Sequence, residues 1–268
     1  MSSFFKLQNM SNTNIEQVAE ILYHAKTRKI PSLPIRDVLP SGSIKEAYQV
    51  QAIGIEKEIS QGQQITGKKI GLTSTAVQEQ LGVNEPDFGT LLTNMEVQNN
   101  RLPFAELMQP KAEAEWGFVL KQKIDSPITS IEALQDYIDY AVVAIEIVGS
   151  RIKNWDIQIT DTVADNASAS HYIIGSQAIP LNEINLTQCQ MQLFQNKELT
   201  SQGKGSACMG NPLNAVQWLA NKMIEMNTPL QKGELVLSGA LGAMINLKKG
   251  DQLEVKIDDF QPVYLEIT

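Results

Sequence analysis

The chain has 268 residues, enough for one large domain, and its 43% hydrophobic content can supply a sizeable core. Its 30 acidic and 22 basic residues leave a formal charge of −8, which on average repels a phosphate backbone or an anionic lipid surface, so no nucleic-acid or membrane partner is expected. No apolar run reaches bilayer-spanning length, the opening MSSFFKLQNMSN lacks a signal-peptide core, and Cys189 and Cys208 are too few for a disulfide scaffold, with a single bridge between them left open. A soluble, reduced, cytoplasmic protein is expected.

The first third reads as helical. Thr13-Asn14-Ile15-Glu16 has capping-box spacing, and Ile15, Val18, Ala19 and Leu22 follow at helical intervals. Ser43-Ile44-Lys45-Glu46 repeats that signature ahead of a helix running towards Ile59. Pro31, Pro34 and Pro40 predict an irregular connection over 30–42, and a short helix is expected over 74–82. Beyond Pro110, strand signals dominate. Residues 116–120 and 141–148 are compact apolar runs rich in β-formers, with a helix opening at Thr129-Ser130-Ile131-Glu132 and running through Ile138 between them. Asn211-Pro212 supplies an N-cap and a first-turn proline, after which Leu213, Val216, Ala220 and Met223 share a face. The tail over 235–267 reads as strands separated by Gly-rich or Lys-Gly-Asp turns. The expected class is α+β, with a helical N-terminal region over 1–68 and a β-rich catalytic body over 69–268, read as one continuous domain.

Three acids stand where acids are unfavourable. Glu113-Ala114-Glu115 leads straight into the apolar 116–120 strand, and residues two apart on a strand project to one face, so two carboxylates aim at one point. Glu146 lies inside Val142-Val143-Ala144-Ile145-Glu146-Ile147-Val148, a run that reads as buried on both sides, where a lone carboxylate is costly unless a cation or strong donors compensate it. Convergence of all three on one metal ion resolves both oddities, and an all-oxygen set selects a hard cation, Mg2+ or Mn2+, over zinc. His24 and His171, the two histidines, have no ligand spacing. A solvated Glu-x-Glu edge and a Glu146 paired with a cation such as Arg151 remain open alternatives from these residues alone.

Longer motifs bear on that choice. Lys69-Ile70-Gly71-Leu72-Thr73, Glu85-Pro86-Asp87-Phe88-Gly89-Thr90-Leu91, Glu146-Ile147-Val148-Gly149-Ser150-Arg151, Asp161-Thr162-Val163-Ala164-Asp165-Asn166-Ala167-Ser168, residues 205–214 and Ser238-Gly239-Ala240-Leu241-Gly242-Ala243-Met244 together resemble the 2-keto-4-pentenoate hydratase family of the fumarylacetoacetate hydrolase superfamily. The resemblance spans about Lys68 to the C-terminus. It implies a rolled, mixed β-sandwich with helices outside, metal ligation by Glu113, Glu115 and Glu146, catalytic positions at Lys69, Asp87 and Ser168, and substrate contacts from Arg151, Gly239, Ala240 and Leu241. Without it, Lys69 reads as a surface strand lysine, Asp87 as a turn residue and Ser168 as a cap.

The implied reaction is hydration of 2-hydroxypenta-2,4-dienoate (2-oxopent-4-enoate) to 4-hydroxy-2-oxopentanoate in aromatic meta-cleavage catabolism, with Lys69 binding the substrate carboxylate or transferring a proton at a lowered pKa. A 4-oxalocrotonate (2-oxo-3-hexenedioate) decarboxylase on the same scaffold is the alternative. Those relatives tend to carry Asp where Gly149 stands and a Gly-Gly-Ile-Thr type segment where Gly239-Ala240-Leu241-Gly242 stands. Hydrolase relatives use a His–Glu pair, whereas His24 falls on the first expected helix. Ala169-Ser170-His171 replaces the family's usual small Cys-Gly stretch, a departure expected to alter the pocket wall. Kinship also implies a homo-oligomer and an association with the pathway decarboxylase.

Overall fold

Ile15, Val18, Ala19, Leu22 and Ala25 repeat at helical spacing, and all five side chains are buried. In the computed structural model, which describes residues 2–74, 78–79 and 83–268 with side chains from Asn14 onward, they lie on α1, Ser2–Arg28. The helix runs through Thr13 instead of starting there, which corrects the first capping box. No proline or glycine stands between Ser2 and Asn12 to interrupt it. Lys29 closes α1 in left-handed backbone, φ 56°. Helix α2, Ile44–Ser60, starts as expected at Ser43, whose side chain accepts from the Glu46 N–H. The Glu46 carboxylate turns to the Ser41 N–H instead, leaving the box half closed. The 30–42 connection is irregular, as expected, and is pinned by buried Asp161, which accepts from the N–H groups of Ile35 and Arg36 at 2.8 and 2.9 Å. Most of the helix expected over 74–82 lies outside the described residues, at 75–77 and 80–82.

Two mixed sheets form the body. The larger, with seven strands among the described residues, orders β2 (Asp87–Leu92), β1 (Ile65–Gly71), β9 (Leu235–Leu237), β4 (Lys111–Leu120), β5 (Ile138–Val148) and β6 (Ala169–Ile174), with β10 (Ile245–Asn246) also against β4. The smaller orders β3 (Arg101–Leu102), β12 (Val263–Ile267), β11 (Gln252–Ile257), β7 (Gln190–Gln195) and β8 (Glu198–Lys204). Helix α3, Ile131–Gln135, is capped by Ser130 but ends early, because Ile138 already pairs with Leu120 as β5 begins. Helix α4, Ile159–Ala164, follows β5, and α5, Pro212–Glu225, starts at the expected Asn211 cap. Cys189 and Cys208 are both free and buried, so the bridge left open by the sequence is not formed. Among the described residues no helix is long and apolar enough to cross a membrane.

The period-two alternation of β4 and β5 decides where the acids go. Ala112, Ala114, Trp116, Phe118, Ile145 and Ile147 join one core with Met191, Leu193, Leu253, Val255 and Leu265 of the other sheet. Each fully buried Val, Leu, Ile, Phe or Met among them contributes about 1.5–3 kcal/mol. The intervening positions face the opposite side, where Val142 and Ala144 pack with Leu92, Tyr172 and Leu237. Glu113, Glu115 and Glu146 therefore share that second face.

Candidate metal centre

Antiparallel pairing sets Glu113 directly opposite Glu146, with Glu115 two residues along the same face. Like charges at such spacing repel. Oxygens of the three acids nevertheless lie within 4.8 Å of one another. Glu115 and Glu146 are 0% and 1% exposed, and Glu113 is partly covered. Glu115 Oε2 accepts the Gly239 N–H at 2.9 Å, whereas Glu115 Oε1 and both Glu146 oxygens have no hydrogen-bond partner. Burial pushes all three carboxyls above the usual range, Glu146 to about 7, and at Glu115 the charges of Glu146 and Glu113 add to the burial. Buried carboxylate oxygens without donors call for a counter-charge, and the donor set is all oxygen. These residues fit a hard divalent cation, Mg2+ or Mn2+.

Lys69 reaches the same space from β1. Its Nζ stands 3.3 Å from Glu146 Oε1 and donates to the Ala167 carbonyl at 3.0 Å. Burial works against the ammonium, but the charges of Glu146, Asp87, Glu113 and Glu115 outweigh it and raise the pKa. The expected lowered pKa is thereby corrected: with the carboxylates ionised around it, Lys69 is a fixed cation and donor. Asp87 opens β2 opposite Gly71, where a Cβ would stand 2.2 Å from Asp87 Oδ1, so glycine is what admits the carboxylate. Burial raises the Asp87 pKa against the pull of Lys69, and its Oδ1 has no hydrogen-bond partner. The Thr162 hydroxyl of α4 lies 3.3 Å from Ser168 Oγ and near Asp87, whose pKa it pulls down against the effect of burial. Thr162 lies inside the 161–168 motif, where no local signal marks it out.

Ser168 sits in a strained turn. Asn166, Ala167 and Ser168 are all left-handed, at φ 54°, 49° and 57°, a conformation that costs non-glycine residues roughly 1–2 kcal/mol each. The Asn166 side chain ties the turn to β2, accepting from the Thr90 N–H at 2.7 Å and donating to its carbonyl at 2.9 Å. Arg151 ties it from beneath. Its Nε bonds the Asp165 carboxylate, Nη1 reaches the carbonyls of Gly149 and Ala169 at 2.8 and 2.9 Å, and Nη2 donates to the Asp165 carbonyl. Arg151 thus makes its bonds to this turn, away from the three acids.

Residues 238–241 continue beside β4. The N–H groups of Ser238 and Leu241 donate to Trp116 and Ala114 carbonyls at 2.9 and 3.0 Å, and the Gly239 N–H between them is left for Glu115. Gly239 has φ 102°, and a Cβ there would stand 2.4 Å from Thr73 Oγ1. Ala240 is half-buried beside it, whereas the Leu241 side chain belongs to the core between the sheets. Gly239→Ala is expected to destabilise the fold by about 1–3 kcal/mol and to release Glu115, read as a lower Tm together with weaker Mg2+ binding in calorimetry. His24 is exposed on α1 beside Glu20, remote from this chemistry.

Two sheets around one core, with a buried all-carboxylate cluster on the outer face of the larger, define a class of proteins built to hold a hard cation. The chain belongs to the fumarylacetoacetate hydrolase family, whose description "Fumarylacetoacetate (FAA) hydrolase C-terminal" matches residues 87–267. It is 45% identical over 252 residues to the 2-keto-4-pentenoate hydratase of Paraburkholderia xenovorans (strain LB400), covering 94% of each chain. The 2-keto-4-pentenoate hydratase of Burkholderia vietnamiensis (strain G4 / LMG 22486) is 43% identical, over 97% of this chain and 100% of that one. Among solved structures, 4-oxalocrotonate decarboxylase from Pseudomonas putida G7, complexed with magnesium and adipate, is similar with a TM-score of 0.89 at 28% identity, covering 94% of this chain and 98% of that one.

Proposed function

We propose that this chain is a metal-dependent hydratase that adds water to 2-hydroxypenta-2,4-dienoate, giving 4-hydroxy-2-oxopentanoate, as in meta-cleavage catabolism of aromatic compounds. The observation that carries the reading is the buried cluster of Glu113, Glu115 and Glu146 facing Lys69, in a chain 45% identical to a 2-keto-4-pentenoate hydratase. The three glutamates would hold Mg2+ or Mn2+, which when bound supplies Lewis-acid stabilisation of negative charge at the 2-oxo acid end of the substrate. Lys69, a buried cation with further N–H donors beyond its bond to Ala167, binds the substrate carboxylate. Asp87 offers a partnerless oxygen and a raised pKa, the properties of a group that delivers a proton to the terminal carbon as the 2-hydroxyl proton departs. The resulting 2-oxo-3-enoate is electrophilic at its fourth carbon, where water adds. The water's hydroxyl ends on the fourth carbon and its hydrogen on the third, while the departed 2-hydroxyl proton restores Asp87; Ser168, beside Thr162, holds the substrate or the water by a hydrogen bond. Gly239 and Ala240 form the backbone wall, and Arg151 holds the turn that carries Ser168.

The test is the loss of ultraviolet absorbance of 2-hydroxypenta-2,4-dienoate, with and without EDTA. Turnover that disappears on chelation and returns with Mg2+ is the expected result. Carbon dioxide release from 2-oxo-3-hexenedioate with no hydration of the dienoate would replace this reading with the decarboxylase. Self-association belongs to the same proposal. Ile30 and Leu33, 66% and 75% exposed on the 30–42 connection, support it, and sedimentation is expected to give a mass above that of one chain.

A further inference from the structure

A cavity of about 280 Å³ lies between α1, α2 and the 164–171 segment, and neither the three acids nor Lys69 nor Asp87 lines it. Its walls are apolar, with Leu22, Val50, Ile55, Leu92 and Met95. Its polar side sets Lys26, Lys29 and Arg151 among Glu58, Glu106 and Asp165. Lys26 is paired with Glu58 at 2.5 Å and Arg151 with Asp165, whereas Lys29 meets the Glu106 carbonyl at 2.6 Å and forms no ion pair among the described residues. His171 stands beside it, its Nδ1 2.9 Å from Ser170 Oγ and its Nε2 3.7 Å from the Glu106 carboxylate, which is 58% exposed. Burial, then the charges of Lys29, Lys26 and Arg151, hold the His171 pKa down at about 4, so this corner carries positive potential around a neutral imidazole.

An independent feature concerns the space itself. Gly54 lines the cavity from the middle of α2, where glycine destabilises a helix by about 1 kcal/mol relative to alanine. Its backbone is not left-handed, and a Cβ there would meet nothing within 4 Å. Neither conformation nor packing calls for glycine at this position; its effect is to keep the void open.

We propose that this cavity is a second binding site, for a small monocarboxylate with an aliphatic body, its carboxylate against Lys29, Ser170 and His171 and its chain against Leu22, Val50 and Ile55. The one cation without an ion pair matches one carboxylate, and the volume, just below the usual range of about 300–1,000 Å³, suits a small ligand. The site is independent of the reaction proposed above.

Calorimetric titration of EDTA-treated protein with sodium pentanoate tests it. One equivalent is expected to bind wild type and Glu115→Gln alike, with affinity at least tenfold weaker in Lys29→Gln, a change at an exposed residue, and in Gly54→Phe, which fills the void. No binding, or wild-type affinity in Lys29→Gln or a folded Gly54→Phe, overturns the proposal. So does loss of binding in Glu115→Gln, which would assign the carboxylate to the acid cluster.

Discussion

Mg2+ added to EDTA-treated protein at pH 8 is expected to raise Tm by about 5–10 °C, and Glu115→Gln or Glu146→Gln to abolish the rise. At a hundred times Kd a ligand stabilises by about 2.7 kcal/mol, and each kcal/mol is worth about 2–4 °C in a chain of this size. The pH dependence follows from the same carboxylates. In the metal-free fold Glu146 titrates at about 7, against 4.5 for an ordinary glutamate, because burial disfavours its charge. The folded state therefore holds a proton that the unfolded chain releases, and metal-free stability falls as pH rises from about 4.5 to 7, by on the order of 3 kcal/mol from this group. A cation must displace that proton, so the Mg2+-induced rise should shrink towards pH 5. Without metal at pH 8, Glu115→Gln should be at least as stable as wild type, since it removes a buried like charge. Its turnover should fall by about 10³-fold or more, the loss of several kcal/mol of transition-state stabilisation. Scanning fluorimetry at pH 5 and pH 8 with EDTA or Mg2+ reads the stability terms. An undiminished Mg2+ shift in Glu115→Gln would remove the three acids from the metal assignment.

Arg151→Met is expected to lower Tm by roughly 10 °C or more while moving kcat further than KM. The substitution strands Asp165, 3% exposed, without its counter-ion and frees the carbonyls of Gly149, Asp165 and Ala169. Breaking a buried pair in this way costs about 3–5 kcal/mol. The left-handed turn over 166–168 then loses its lower clamp, and Ser168 moves relative to Thr162. Arg151→Lys keeps the charge but not the planar fork that reaches a carboxylate and three carbonyls together, so it should recover only part of the loss. A direct substrate contact would behave differently: KM would rise in both variants with Tm unchanged. Thermal melts beside steady-state kinetics separate the two.

Departures from the sequence reading occur where a side chain's role depends on distant neighbours. Arg151, implied as a substrate contact by resemblance, is given Asp165 as its ion-pair partner by the structure. The lowered pKa expected for Lys69 follows from burial alone, and the reversal comes from carboxylates on three other strands. Ala169-Ser170-His171, expected to alter a pocket wall, lines the cavity between α1 and α2. Thr162 acquires a role only because β2 carries Asp87 to it.

Residue order by itself determined the α+β class, the Ser43 and Asn211 caps, strands β4 and β5, and the anomaly of three acids in apolar surroundings. Capping and period-two alternation act within a few residues, so local chemistry suffices for them. The tertiary structure alone decided that Glu113 and Glu146 stand opposite each other, which oxygens are left without donors, and which turn Arg151 secures. Those depend on strand register and on what covers each face, contacts between residues far apart in the chain that no local pattern encodes.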